Sequence, residues 1–146
     1  MHLMIEVKRF EYSDKELLKI SNSIRTKVFV EEQLVPPELE YEYEEEGHFY
    51  LLYFKEKPIA TARWRKTANG IKLERFASLK EYRNKGLGAK LLEEILNDVV
   101  SLKQKIYLHS QINAVNYYKR AGFTEKGEHF FEADIQHVLM EYRGHS

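Results

Sequence analysis

Alternation and periodicity along the chain predict an α/β (α+β) fold, a mixed sheet with helices on its faces, built as one domain over residues 1–146. Three observations carry this. Segments of period two and period 3.6 interleave in the order β-α-β-β-β-α-β-α-β-β, and no repeat, low-complexity tract or interdomain linker interrupts them. The length of 146 residues, with 43% apolar and 32% charged, suits a globular domain rather than a disordered chain. A domain of this size hides about 68–70% of its unfolded surface, and the chain has no cysteine, which excludes disulfides, zinc–thiolate sites and cysteine nucleophiles.

Each element follows from local pattern. Residues 4–10 alternate and read as a strand. Ser13-Asp14-Lys15-Glu16 has capping-box spacing, with Ser13 as the cap, and Leu17, Ile20, Ile24 and Val28 then mark a helix over 14–31. Pro36-Pro37 blocks helix, so the glutamate-rich stretch to Gly47 reads as a surface loop. Residues 48–55 and 58–66 are strands joined by a turn at Glu56-Lys57-Pro58. Asn69-Gly70 predicts a type I′ hairpin leading into a strand at 71–78. A second helix covers 87–102, with Leu91, Ile95 and Leu102 on one stripe and Leu92, Leu96 and Val99 broadening it. A strand at 105–109, a helix at 112–121 stopped by Gly122, and strands at 123–130 and 135–142 complete the chain. The strands on either side of helix 87–102 are expected to be parallel neighbours through a right-handed crossover.

Charge excludes some partners. Lys plus Arg and Asp plus Glu each total 23, so no basic excess favours nucleic acid. The longest apolar run, Phe49 to Phe54, falls far short of the roughly 18–20 residues of a membrane span. Met1-His2-Leu3-Met4-Ile5-Glu6 lacks a basic and then apolar leader, so the expected location is cytoplasmic. Locally, residues 31–46 carry eight glutamates and no Lys or Arg, whereas 55–90 carry eleven Lys or Arg against Glu56, Glu74 and Glu81. These runs are either two solvated faces of opposite sign or a basic cleft beside an acidic rim.

The chemistry concentrates in Leu73-Glu74-Arg75-Phe76-Ala77-Ser78 and in Arg83-Asn84-Lys85-Gly86-Leu87-Gly88-Ala89-Lys90, which runs into the second helix. Glycines at a helix start allow close approach and leave the first N–H groups of the helix open to phosphate oxygens, and Arg83, Lys85 and Lys90 add positive charge there. It is no P-loop and no Rossmann fingerprint, because Leu91 stands where a third glycine is needed. The six histidines show no metal spacing, so no metal is expected, and His109 and His137 read as hydrogen-bonded strand residues.

Arg83-Asn84-Lys85-Gly86-Leu87-Gly88 and the later Tyr118-Lys119-Arg120-Ala121-Gly122-Phe123 resemble, in order, the two signatures of the GNAT superfamily of acyl-CoA-dependent N-acetyltransferases. Arg25, Val28 to Gln33, Ala62-Arg63-Trp64-Arg65, Leu73-Glu74-Arg75 and Phe131 to His137 extend the likeness to its ElaA/YjcF-like bacterial branch. The resemblance implies a mostly antiparallel sheet with a splayed parallel pair, helices on both faces, and acetyl-CoA lying between the splayed strands. The backbone near Phe76, Ala77 and Ser78 would pair with the pantetheine amides, and Arg83 to Lys90 would hold the pyrophosphate. A primary amine of a small molecule or peptide would attack the thioester directly. Tyr118 is then the expected acid for the departing thiolate, while Tyr117 packs elsewhere. Glu74 is the first candidate base, Glu32 the second, and water a third. Gln111, Asn113 and Asn116 compete for the amide contact to CoA. Arg63 and Arg65 would either hold an anionic group on the acceptor or pair with glutamates. The alternative to an enzyme is a CoA-binding sensor that kept the cleft and lost catalysis. Monomer and homodimer both remain open.

Overall fold

The computed structural model describes residues 4–36 and 42–144. Met1 to Leu3, and Pro37 with residues 38–41 of the acidic stretch, lie outside the described residues.

Strands β1 (Ile5–Glu11), β2 (His48–Phe54), β3 (Lys57–Thr67), β4 (Gly70–Ser78), β5 (Ile106–Gln111), β6 (Phe123–Glu132) and β7 (Ile135–Tyr142) form one sheet in the order β1-β2-β3-β4-β5-β7-β6. Every neighbouring pair is antiparallel except β4 and β5. Helices α1 (Lys15–Arg25) and α2 (Leu87–Val99) cover opposite faces, and α3 (Val115–Arg120) follows β5. Strand β2 explains why both faces need covering: Phe49 and Leu51 pack with Leu18, Ile24 and Val28, while Tyr50 and Leu52 pack with Leu91, Leu92 and Ile95. The apolar run at 49–54 is therefore a strand buried on both sides. Fully burying each such side chain contributes about 1.5–3 kcal/mol.

Local chemistry departs from expectation at several ends. Asp14, not Ser13, caps α1, its Oδ1 accepting from Leu17 N–H at 3.2 Å. The expected helix 14–31 is α-helical only to Arg25 and widens into a π-turn over Thr26–Glu32, where Gln33 N–H donates to Val28 O at 3.0 Å. The extra residue per turn swings Phe29 and Gln33 toward the cavity described below. The first hairpin turns at Lys55 and Glu56, both at positive φ, so Pro58 lies within β3. In the next hairpin the positive φ falls on Gly70 alone, which excludes a type I′ turn. Glycine is needed because a Cβ there would stand 2.4 Å from the carbonyl oxygen of Lys105. Leu102 leaves the buried stripe, lying in a closing 3-10 turn at 38% exposure. The helix expected over 112–121 opens with a 3-10 turn, Ile112–Ala114, before α3, and Gly122 follows at φ 107°.

The functional geometry comes from the one parallel pair. Strands β4 and β5 share only the rungs Ile71↔Ile106, Lys72↔Tyr107 and Leu73↔Leu108. Beyond them β4 bulges, because Thr61 opposes Ala77 and Arg63 opposes Glu74, leaving Ala62 to face both Arg75 and Phe76. Arg75 adopts φ 60° to make the bulge. Strand β5 meanwhile stays bonded to β7 as far as Gln111↔His137, so the two parallel strands part.

Candidate active site

A cavity of about 450 Å³ opens where β4 and β5 separate. Of the residues singled out from sequence, its wall brings together Glu74, Phe76, Arg65, Gln111 and Tyr118. Glu32, Arg63, Ala77, Ser78, Asn116 and the turn from Arg83 to Lys90 lie outside that wall.

Tyr118 is 8% exposed and is fixed by edge contacts with Phe76 and Phe123, each with ring centroids 5.9 Å apart. Its hydroxyl has no hydrogen-bond partner among the described residues, yet no fully buried side-chain polar atom is left unpartnered, so the hydroxyl keeps some access to solvent, and Tyr118 lines the cavity. Burial pushes the phenol well above its ordinary pKa, which keeps it a proton donor. Tyr117, one position earlier, turns to α2, where a Cβ on Gly88 would lie 3.1 Å from its hydroxyl oxygen.

Glu74 sits in a knot of charge. Its Oε1 accepts from Arg63 Nε at 3.0 Å and from Arg65 Nε at 2.7 Å, and Lys72 Nζ stands 3.4 Å from Oε2. Burial pushes this carboxyl up, but the cations Arg63, Lys72, Arg75 and Arg65 together hold it below the usual range. Arg63 is fully buried, gripping Glu44 Oε2 at 2.6 Å and the carbonyl of Glu42 at 2.6 Å. Glu44 also takes Arg25 at 2.9 Å, so the acidic loop folds onto the basic strand face. Arg65 keeps a cavity-facing position, its guanidinium 4.0 Å from the ring centre of Tyr43.

The glycine turn forms a separate corner. Asn84 and Gly86 adopt left-handed backbone at φ 63° and 78°, and α2 then starts without any side-chain cap. Nothing lies within 4 Å of where a Gly86 Cβ would be, and no side chain caps the first N–H groups of the helix, those of Leu87, Gly88 and Ala89. Lys85 and Asn84 are exposed beside them, and Lys90 pairs loosely with Glu93 and Glu94 at 3.6 and 3.7 Å. Arg83 turns away from this corner. Its Nε donates to the Ser78 carbonyl at 2.9 Å, and its two terminal nitrogens clasp Glu32 at 2.7 and 2.8 Å. That clasp holds the Glu32 carboxyl below its ordinary pKa. Ala77 is buried against the α1 face. Gln111 donates to the Gln33 side chain at 2.9 Å, whereas Asn116 is exposed on α3.

Sequence reading placed His109 as a hydrogen-bonded strand residue but did not find its partner in the cavity. His109 Nδ1 lies 2.6 Å from Glu132 Oε1, joining β5 to the end of β6. The signal for Glu132 was the stretch Phe131 to His137, whose tight turn at Ala133-Asp134 carries Glu132, Ile135 and His137 to the wall.

Residues 9–143 match the family model described as an acetyltransferase (GNAT) domain. The chain belongs to the GNAT acetyltransferase family. It is therefore an acyltransferase, and its sheet with one splayed parallel pair is the GNAT architecture. A Bacillus subtilis relative, the uncharacterized N-acetyltransferase YjcF, is 37% identical over 132 residues, spanning 87% of this chain and 93% of its own. The crystal structure of an acyl-CoA N-acyltransferase from Pseudomonas aeruginosa superposes with TM-score 0.82 at 25% identity, covering 94% of this chain and 99% of that one. ElaA of Escherichia coli superposes with TM-score 0.83 at 22% identity, covering 96% and 100%. Among the described residues of this GNAT chain, no group of three His, Asp or Glu side chains could hold a metal ion. None of its described helices is long and apolar enough to cross a membrane.

Proposed function

We propose that this chain moves an acetyl group from acetyl-CoA to the primary amine of a small molecule or peptide, by direct attack within a ternary complex. The observation that carries the reading is the combination of the gap past Leu73 and Leu108, with Tyr118 on its wall, and the uncapped start of α2 at a separate corner. Backbone on β4 past its last rung with β5, around Phe76, Ala77 and Ser78, pairs with the pantetheine amides, the Ser78 carbonyl also accepting from Arg83. The N–H groups of Leu87, Gly88 and Ala89, with Lys85, hold the pyrophosphate, because a helix start favours anions and a lysine adds charge. Gln111 is the amide nearest the acetyl end, since it lines the cavity and Asn116 does not.

When bound, acetyl-CoA supplies a thioester: the amine's lone pair forms a C–N bond, the C–S bond breaks, and the electron pair leaves on sulfur. Tyr118 protonates that sulfur, burial keeping the phenol protonated at neutrality until the thiolate leaves. Arg83 acts indirectly, tying Glu32 to the end of β4 and so steadying the phosphate turn. Glu74 serves to hold Arg63, Arg65 and Lys72 in place rather than to take a proton. A cytoplasmic location belongs to the same reading.

Release of free thiol from acetyl-CoA across polyamines, amino sugars, amino acids and peptides tests it, alongside calorimetric titration with CoA. Turnover on any amine supports the enzyme. Failure to bind CoA ends the reading. The entrapment of Glu74 favours a second possibility, a CoA-binding sensor, which predicts tight binding with no thiol release on any amine.

A further inference from the structure

We infer that His109, held by Glu132, is the group that takes the proton from the acceptor's ammonium, an assignment that rests on the acetyltransferase reading above. His109 occupies the first position of β5 beyond the last β4 rung, Leu73↔Leu108, so its β4 side is free just where the cavity begins. Its side chain is 27% exposed and shares the cavity wall with Tyr118.

The hydrogen bond fixes which ring nitrogen does the work. Glu132 Oε1 sits 2.6 Å from Nδ1, and the His109 contact, outweighing burial, holds the Glu132 carboxyl below its usual range. An ionised carboxylate only accepts, so Nδ1 carries the hydrogen and Nε2 of the neutral ring keeps a lone pair. No described residue bonds Nε2. Phe130, 5.0 Å away and edge-on, and Tyr107, 6.0 Å away, hold the ring plane. A histidine oriented at one nitrogen and open at the other is the general-base arrangement.

Two of the competing groups on the cavity wall, Glu74 and His137, are occupied. Both oxygens of Glu74 face cations. His137 is 8% exposed and its Nδ1 donates to the Ile135 carbonyl at 2.7 Å, with no carboxylate partner. His137 on β7 and Lys72 on β4 act on Glu132, the partner of His109, Tyr107 lies beside the ring on its own strand, and Glu42, Tyr43, Arg65, Glu74, Arg75 and Tyr118 share the cavity wall. An alkyl ammonium loses its proton only near pH 10.4, so a base is needed at neutrality, and a positioned one accelerates by about 10²–10⁴-fold. The ammonium gives one proton to Nε2, which passes it to solvent. The freed lone pair forms the C–N bond, and the second proton lost from nitrogen balances the one Tyr118 gives to sulfur. The net products are an amide, a thiol and one proton.

The experiment has two arms. Spermidine, glucosamine, tyramine and an alanine-initiated peptide are tried as acceptors, and the fastest is used for kcat/KM against pH. H109Q is expected to lower kcat/KM by about 10²–10⁴-fold and to erase the acidic limb, and added imidazole should restore part of the rate in H109A. E132Q lowers kcat with the acetyl-CoA KM unchanged, and H137Q keeps the limb. If wild-type chain turns over an amine and H109Q does so within about threefold, with the limb intact, the base assignment fails and the acetyltransferase reading stands. If wild-type chain neither releases thiol nor binds CoA, both fail together. The second arm needs no acceptor. Nitrogen-15 spectra of the imidazoles should show His109 as the Nδ1–H tautomer, with that preference weakened in E132Q. A wild-type Nε2–H tautomer overturns the proposal, even where H109Q does not fold.

Discussion

The phenol of Tyr118 contributes to packing through its ring and to chemistry through one oxygen. The ring meets Phe76, Tyr117 and Phe123, while the oxygen has no described partner. Tyr118→Phe therefore preserves the packing and removes only the donor. We expect kcat to fall by about 10²–10⁴-fold, with CoA affinity by calorimetry unchanged; an unchanged kcat would remove Tyr118 from the chemistry. Glu74 should behave oppositely. Its side chain is 5% exposed among Arg63, Arg65 and Lys72, so Glu74→Ala leaves buried guanidinium charge uncompensated. Breaking a buried pair this way costs about 3–5 kcal/mol, readable as a shift in the urea midpoint. The conservative Glu74→Gln should retain kcat per folded molecule, and a collapse of kcat at full folding would return Glu74 to the role of base. The placement of Gly86 at the start of α2 and of Tyr118 on the helix after β5 follows from short local patterns and was legible in the sequence. Glu132 with His109 was not, because the pair spans 23 positions and exists only through the curl of a hairpin tip. The clasp between Arg83 and Glu32, 51 positions apart, was illegible for the same reason.

At the scale of elements, periodicity predicted existence and type, and geometry at the ends shaped the cavity. The parallel neighbours flanking α2 were foreseen from the crossover rule. The bulge at Arg75 was not, since a non-glycine residue at φ 60° has no compositional signal. Nor was the π-turn over Thr26–Glu32, whose apolar spacing still passes for an ordinary helix. The cap of α1 offers a direct check. Ser13 has the capping-box spacing, but Asp14 makes the bond to Leu17 N–H. Asp14→Ala should then cost about 1 kcal/mol in chemical denaturation, while Ser13→Ala should be nearly neutral. The reverse ranking would move the helix start by one residue. The turn before α2 gives a matching case. At φ 78° and with no atom near its would-be Cβ, Gly86→Ala meets backbone strain alone, about 1–2 kcal/mol.

Across the whole molecule, the acidic and basic runs meet each other where Glu44 pairs with Arg63, Glu46 with Arg65 and Glu32 with Arg83. Glu44 joins Arg25 and Arg63, Glu74 joins Arg63 and Arg65, and Glu32 joins Arg83. The runs themselves were visible in sequence, but their mutual neutralisation depends on the acidic loop reaching the β3 face, which composition does not encode. This pairing has a pH signature. Carboxyls at Glu32, Glu74, Asp98 and Glu132 are held below their ordinary values in the folded chain. A group depressed on folding contributes stability above its unfolded pKa, about 4.3 for Glu, and loses it as pH falls through the lower folded value. Unfolding stability should thus be level from neutrality to about pH 5 and decline below it, because the unfolded chain binds more protons there. Glu32, Asp98 and Glu132 have side chains 39%, 33% and 43% exposed, so solvent screening limits their share. Glu74, at 5%, should carry most of the slope. Thermal midpoints of wild-type chain and Glu74→Gln measured from about pH 3 to 7 decide this. The variant should start lower and descend more gently in acid, since one of its linked protons is gone. Parallel curves for the two proteins would mean that the acid sensitivity arises elsewhere than in the charge knot beneath the cavity.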